Sequence, residues 1–192
     1  MTITDLLSEL GYEESNSNWI HSDPQDTNQS FWFREARAVK GVYGAYVFRT
    51  SPKAHEILSP KPAVFVAQAE SINEARIIHR HLWNLGNAPY IIVVLPSQIR
   101  VYYGFSYDPD DEQIGLVSTG STLKEIQKIL KHYSASSIDS GELWSTTNEL
   151  PLNNRIDTHL LRNLDYLGEQ LIEQERLPRS LAHALIGKYI YM

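Results

Sequence analysis

Apolar positions along the chain follow two rhythms, and their alternation predicts a mixed α/β body. Leu6, Leu7 and Leu10 share one side of a helix over residues 2–10, with Thr2 or Thr4 placed to cap it. The polar stretch 13–29 reads as a loop. Residues 31–36 and 42–50 read as strands, the second (VYGAYVFRT) rich in aromatic and β-branched side chains. Three prolines make 51–62 a connection, and 63–68 (AVFVAQ) suits a strand buried on both faces. Ser71 and Glu74 then form a capping box, and Ile72, Ala75, Ile78, Leu82 and Leu85 recur at helical spacing up to Gly86, a helix-ending residue. Pro89 leads into an apolar strand over 90–95, residues 96–98 turn, and 99–105 (IRVYYGF) alternates like a further strand.

Residues 63–105 therefore read strand, helix, strand, strand. A helical crossover between the first two strands favours a parallel pair with a right-handed connection. The run DPDDE at 108–112 is an acidic turn, and 114–118 suits a strand. Thr122 and Glu125 make a second capping box, opening a helix that runs to His132. Residues 134–154 are rich in Ser, Thr, Asn and Asp and read as a polar connection. In 157–174, Leu160, Leu161, Leu164, Leu167, Gly168 and Leu171 fall on one helical face, and Pro178 fits the first turn of a last helix. The expected organisation is an α/β body over 1–133, a polar connection over 134–154 and a helical segment over 155–192. In that last segment Leu181, Leu185, Ile186, Tyr189 and Ile190 form an apolar stripe. Two expectations follow: the stripe docks on the core, or it leads into a further domain of a longer chain.

Composition narrows the chemistry. The chain has 192 residues, a formal net charge of −6 and no cysteine. Disulfide scaffolds, thiolate metal sites and cysteine nucleophiles are excluded, which fits a reducing compartment. The charge argues against a wholly basic nucleic-acid binder but leaves room for a local basic patch. Eight acids against three lysines lie in 106–151, so the acidity is concentrated there. The start, MTITDLLSEL, lacks the cationic opening and apolar run of a signal peptide. The longest apolar run, YIIVVLP at 90–96, is far shorter than the roughly 20 residues that span a bilayer. A cytoplasmic protein with no membrane partner is expected.

Several familiar sites are missing from the sequence: GxGxxG, the P-loop, HExxH and GxSxG. His79 and His81 point about 200° apart around a helix and cannot share a metal. The 108–112 acids lack the glycine and distant Glu of a Ca²⁺ loop and read as a solvated turn. The strand–helix–strand core invites comparison with nucleases, which hold Mg²⁺ with acids and a lysine at adjacent strand ends. Here the 63–68 strand runs on as Val66-Ala67-Gln68-Ala69-Glu70, without the acid-x-lysine triplet, and 42–50 holds no acid. The expected fold is thus a mixed sheet resembling a degenerate restriction-endonuclease-like core, followed by a helical segment, with no catalytic residue and no metal site. Glu35, Glu56 and Glu70 are the remaining carboxylates, and a divergent Mg²⁺-dependent endonuclease using Glu56 and Glu70 is the enzymatic alternative.

One stripe offers binding chemistry. Arg76, His79, Arg80 and Trp83 follow i, i+3, i+4, i+7 on the predicted helix, and Arg100 lies on a nearby strand. Cations beside an aromatic ring suit contacts to DNA phosphates. The rival reading is a solvated face with Trp83 in the core. Arg34, Arg37 and Lys40 add a second basic run.

The run His79-Arg80-His81-Leu82-Trp83-Asn84, then Ala88-Pro89-Tyr90-Ile91-Ile92-Val93-Val94, then Ile99-Arg100-Val101-Tyr102 resembles a specific pattern. It is similar to the N-terminal domain of large bacterial restriction–modification proteins with an adenine-N6 DNA methyltransferase domain downstream, type IIG-like enzymes and relatives of type I modification subunits. In that pattern an "IHR-x-x-WN" helix leads into an apolar strand and an "x-x-R-V-Y" strand. Ser140-Gly141-Glu142-Leu143-Trp144 resembles the family's "SG-x-x-W", and Arg155-Ile156-Asp157 with Leu160 and Leu161 its "R-x-D-x-x-L-L". His183 to Ile190 resembles the helix that runs on toward the catalytic part. The resemblance covers roughly 62–192. It implies a non-catalytic domain that positions DNA or the downstream methyltransferase domain of the same chain. It implies S-adenosylmethionine for the parent chain and no cofactor here, since neither the Gly-rich cofactor loop nor the Asn-Pro-Pro-aromatic motif occurs in these residues. A stand-alone protein-interaction module, binding through the apolar C-terminal stripe, is the third alternative.

Overall fold

The computed structural model describes residues 2–13, 15–22, 31–48, 61–146 and 156–190. Six strands form one open mixed sheet in sequence order: β1 (Trp19–His21), β2 (Val42–Phe48), β3 (Lys61–Gln68), β4 (Tyr90–Val94), β5 (Ile99–Tyr103) and β6 (Leu116–Gly120). Every neighbouring pair is antiparallel except β3 and β4, which the helix α3 (Ile72–Leu85) joins as a parallel crossover. The two central strands are apolar because both faces of the sheet are covered: all of β4 and all but the ends of β3 are buried.

Side chains alternate along β3 and divide the core in two. Val64 and Val66, with Ile92 and Val101, meet α1 (Ile3–Leu10), α4 (Leu123–His132), α5 (Ala135–Asp139) and α6 (Glu142–Thr146) through Leu6, Leu10, Ile129, Leu130, Ile138 and Leu143. Phe65 and Ala67, with Ile91, Val93 and Tyr102, meet α2 (Phe31–Arg37) and α3 through Phe33, Ala36, Ala75, Ile78 and Leu82. The result is a three-layer α/β/α body. It is followed by α7 (Ile156–Glu169), a π-helical turn at Gln170–Gln174 and α8 (Arg179–Ile190). Pro178 sits just before α8, its carbonyl accepting from the N–H groups of Leu181 and Ala182. None of the described helices is long and apolar enough to cross a membrane.

The capping signals act much as their spacing predicts. Thr2 and Asp5 form a full box on α1, and Thr122 and Glu125 on α4, where the Glu125 carboxylate accepts from the Thr122 and Ser121 N–H groups at 3.0 Å each. On α3 the box is skewed: Ser71 Oγ accepts from the Glu74 N–H, but Glu74 reaches back one residue further, to the Glu70 N–H at 2.8 Å. Thr122→Ala removes one acceptor from the α4 terminus and is expected to cost about 1 kcal/mol. Urea unfolding measures it; an unchanged midpoint would show that α4 is held by packing alone.

Four expectations give way. The stretch 31–36 is not a strand but the helix α2. Phe33 and Ala36, three apart, both face the sheet with no exposure, and that spacing outweighs the strand preference of aromatic residues. The stretch 13–29 holds the strand β1, too short to leave a period, with Trp19 buried against Tyr12 in a stacked pair at 5.3 Å. The polar connection 134–154 holds the short helices α5 and α6, whose buried apolar anchors, Ile138 and Leu143, are diluted by Ser and Asp. The strand expected at 114–118 lies two residues later, beside a bulge where β5 and β6 shift register. Residues 51–60 of the proline-rich connection lie outside the described residues, as do 49 and 50 at the end of the expected strand 42–50, and Lys61 and Pro62 belong to β3.

Candidate nucleic-acid interface

Helix α3 has two working sides. Ala75, Ile78 and Leu82 bury against the sheet, and the helix ends at Gly86, whose N–H donates to the Trp83 carbonyl. The predicted stripe of Arg76, His79, Arg80 and Trp83 straddles the boundary between the buried and solvent sides. Its members therefore differ in what they can do.

Arg76 is only 20% exposed in its side chain, and its fork is engaged. Nη1 lies 3.0 Å from Glu112 Oε1, and Nη2 donates to the carbonyls of Asp108 and Pro109 at 3.2 and 3.1 Å. The acidic turn that receives it is self-supporting: Asp108 Oδ1 accepts from the N–H groups of Asp110 and Asp111, and Asp111 Oδ1 from that of Gln113. The solvated turn read in the sequence is thus clipped onto α3.

His79 is buried at 2% exposure. Its Nε2 donates to the Tyr103 carbonyl at 2.9 Å, its ring stacks on Tyr102 at 4.4 Å, and the Tyr107 ring meets it edge-on at 5.3 Å. Burial lowers its pKa to about 4, with the Arg76 charge adding to the shift and the Tyr103 and Ser106 carbonyls opposing it. A neutral, buried imidazole carries no charge to a phosphate at neutral pH. It is a packing centre for the 103–107 backbone.

Arg80 is exposed and makes no hydrogen bond or ion pair with the described residues, so its charge faces solvent. Trp83 is half-buried, its ring tilted against Tyr107 at 5.4 Å. That lies between the core and contact readings. Arg100, opposite Val93 on β4 and Thr119 on β6, is half-buried on the α3 face of β5, with Nη1 3.4 Å from Tyr102 Oη. Tyr102 therefore gathers the site: it stacks on His79, bonds to Arg100 and feels the charges of Arg76 and Glu112. Its phenol is raised above its ordinary pKa, first by burial and then by Glu112, against the two arginines. Sequence reasoning missed Tyr102 and Tyr107 as parts of this site and read Glu112 only as part of a solvated acidic turn. Tyr102 ends the quoted Arg-Val-Tyr run, and Glu112 ends the acidic turn, so both signals were present.

The second basic run lies beside this one. Arg34 and Lys40 are exposed, Arg37 is half-buried, and Lys40 pairs with Glu74 at 3.5 Å. The positions where a nuclease would carry its acids are otherwise occupied. Ala67 and Ala69 at the end of β3 are buried, Gln68 is exposed, and β2 supplies only Val, Tyr, Gly, Ala and Phe. Glu70 and Glu35 are exposed on separate elements, and Glu56 lies outside the described residues. Among the described residues no group of three His, Asp or Glu side chains is placed to hold a metal ion. His79 is buried while His81 is exposed, as their spacing requires.

Compared with known protein families, curated proteins and solved structures, the chain matches none of them.

Proposed function

We propose that this chain is the N-terminal, non-catalytic part of a restriction–modification adenine-N6 DNA methyltransferase. In this reading its α/β body is a degenerate endonuclease-like domain that helps to position DNA. The observation that carries the reading is the order of the quoted motifs along the chain, the first three of which fall on α3, β4 and β5. Support comes from Arg80, whose side chain is exposed on α3, while Arg76 on the same helix is held by Glu112 and Arg100 lies half-buried on the α3 face of β5. Further support comes from α7 and α8, which expose Leu160, Leu161, Tyr166, Leu181 and Leu185 and so offer an apolar surface to a following methyltransferase domain. Methylation and its S-adenosylmethionine belong to the proposed parent chain and not to these residues.

The same exposed leucines favour a second reading, a protein-interaction module without a DNA role. A binding titration separates the two. Fluorescence anisotropy with a short labelled duplex, repeated across salt concentrations, gives the number of phosphates neutralised. Arg80→Glu is expected to weaken duplex binding by roughly tenfold and to take about 1 off the log–log salt slope. A chain that binds no duplex at low salt, or a variant with an unchanged slope, removes Arg80 and the DNA reading with it and leaves the interaction module.

A further inference from the structure

Strand β6 is the last of the sheet and, among the described residues, has a neighbour on one side only. The alternation of hydrogen bonds fixes which of its backbone groups face the open side. The Leu95 N–H donates to the Gln98 carbonyl and closes the β4–β5 hairpin. Successive residues of an antiparallel strand turn their backbone groups to one neighbour and then the other. Arg100, opposite Val93, therefore turns its groups to β4, and Ile99 and Val101 turn theirs to β6. The Tyr103 N–H donating to Gly115 and the Gly104 N–H donating to Pro89 follow the same alternation. Thr119 stands opposite Arg100, so its N–H and C=O point away from β5, at the open edge, and the residue is exposed. Two residues on, the Ser121 N–H is already taken by the Glu125 carboxylate at 3.0 Å.

Edges are usually blunted by charge, proline or extreme shortness. The other edge strand, β1, has three residues, whereas β6 (LVSTG) has five, without a charge or a proline, and its bulge lies ahead of Ser118. Between β6 and α4 lies a cavity of about 370 Å³, lined by Val117, Ile129 and Tyr133 together with Lys128 and His132. Lys128 is exposed and in no ion pair with the described residues, and His132, four residues on, is half-buried on the same side of α4. Helix α4 carries Lys124, Lys128 and Lys131 against one acid, Glu125, whose carboxylate is turned back to the Ser121 and Thr122 N–H groups. The groove thus offers an open backbone edge, an apolar floor and an unmatched cation.

We propose that the β6 edge takes up an extended peptide segment of a partner protein as an added strand, pairing at Thr119, with an apolar side chain of the peptide in the cavity and an acidic one at Lys128. Backbone bonds supply the affinity in this mode, and pockets for alternate side chains supply the specificity. A DNA duplex has no row of N–H and C=O groups to pair with Thr119. A second copy of the chain, paired edge to edge, would set the lysines of two α4 helices against each other. The surface is separate from that of Arg80, because α4 and α3 cover opposite faces of the sheet, and the inference does not rest on the DNA reading.

The full chain, titrated with the labelled, end-capped peptide Thr-Val-Thr-Glu-Thr-Val-Thr and its Leu and Phe versions, tests the proposal by fluorescence anisotropy and by amide exchange followed by NMR. At excess peptide, exchange of the Thr119 amide is expected to slow about tenfold. N-methylation of one alternate set of peptide residues is expected to abolish binding, and that of the other set to leave it, since only one set faces β6. Thr119→Pro removes the outward N–H and leaves the β5 ladder intact; affinity is expected to fall at least about tenfold. Thermal unfolding reports the folding of this variant, and the methylated peptides carry the test without it. Lys128→Glu is expected to weaken the Glu peptide about threefold to fivefold and to strengthen a version with Lys in place of Glu. Binding by none of the three peptides, equal effects of the two methylated sets, or an unchanged Thr119 exchange rate overturns the proposal. So does a Lys128→Glu variant that loses affinity for a DNA duplex and for no peptide, or self-association that protects Thr119 and that peptide does not reverse, which would make the occupant a second copy.

Discussion

Replacing Gly115 by alanine is expected to destabilise the protein by about 3 kcal/mol, against about 1 kcal/mol for the same change at Gly141. Both glycines have positive φ, +85° and +83°, so both variants pay the backbone strain of a side chain in that region. They differ in what surrounds them. A Cβ on Gly115 would lie 2.1 Å from the Ser106 carbonyl oxygen and 2.7 Å from His79 Cε1, whereas a Cβ on Gly141 meets nothing within 4 Å. A carbonyl and a stacked imidazole cannot withdraw without moving the backbone, since the Gly115 carbonyl itself accepts from the Tyr103 N–H at 2.7 Å. Urea unfolding of the two variants isolates the close approach as their difference. Equal losses would show that the segment over His79 relaxes freely, and the Arg76–Tyr102 corner would then be a loose one.

The core of the fold was legible because α3 and its flanking strands carry several independent signals that agree. Ser71 and Glu74 mark a start, Gly86 marks an end, the apolar spacing between them has one period, and the strands on either side are apolar on both faces. Each signal is local, so it survives in one dimension. Where the sequence misled, a single local cue stood against a tertiary one. Residues 31–37 carry aromatic side chains that favour strands, yet what decides them is the sheet face that Phe33 and Ala36 cover, and no neighbouring residue announces that face. Strand β1 is held from outside: the Val47 N–H donates to the Asn18 carbonyl and the Ser22 N–H to the Tyr43 carbonyl, pairings that cross more than twenty residues. Likewise α5 is tied down from afar, by Tyr46 Oη donating to Asp139 at 2.7 Å.

The candidate site shows the same limit more sharply. Helical spacing placed Arg76, His79, Arg80 and Trp83 on one stripe, and the stripe exists. Spacing gives an angle around the helix axis but not the height of the neighbouring elements. Strand β5 and the residues after it rise beside α3 far enough to cover His79 and to clip Arg76, while Arg80, one residue beyond His79, stays in solvent. A stripe that looked uniform therefore divides into a packing centre, a clasp and a free cation. Composition also hid the clasp. The 108–112 acids count toward the net charge of −6, yet one of them, Glu112, is paired with a cation of the basic stripe. Charge totals average over such pairs, and only the fold shows which acid neutralises which base.

His79 also sets an expected response to acid. Its pKa is lowered from 6.5 to about 4 in the folded protein, while in the unfolded chain it returns to about 6.5. Between these values the unfolded chain binds a proton that the folded one refuses. Stability therefore rises with pH across this window and is lost as pH falls through it. The loss begins near pH 6.5, reaches about 2 kcal/mol at pH 5, and levels off at about 3 kcal/mol below pH 4. The carboxylates of Asp5, Glu74 and Glu125 are held below their ordinary pKa by hydrogen bonds from nearby N–H and hydroxyl groups, with Lys40 adding to the Glu70 N–H at Glu74. Their contribution is present above the normal carboxylate range and fades at lower pH than the histidine's. It is common to wild type and variant and cancels in the comparison. His79→Gln keeps an amide donor for the Tyr103 carbonyl and removes the titration, so its unfolding free energy is expected to fall less between pH 7 and pH 4, by about 3 kcal/mol. Parallel curves for the two proteins would mean that His79 is reached by water in the folded state. Because protonation inserts a charge between Tyr102 and Tyr107, next to Arg76, the first structural consequence of acid is expected at this corner, where loosening of the 103–115 segment would also release the clasp on Arg76.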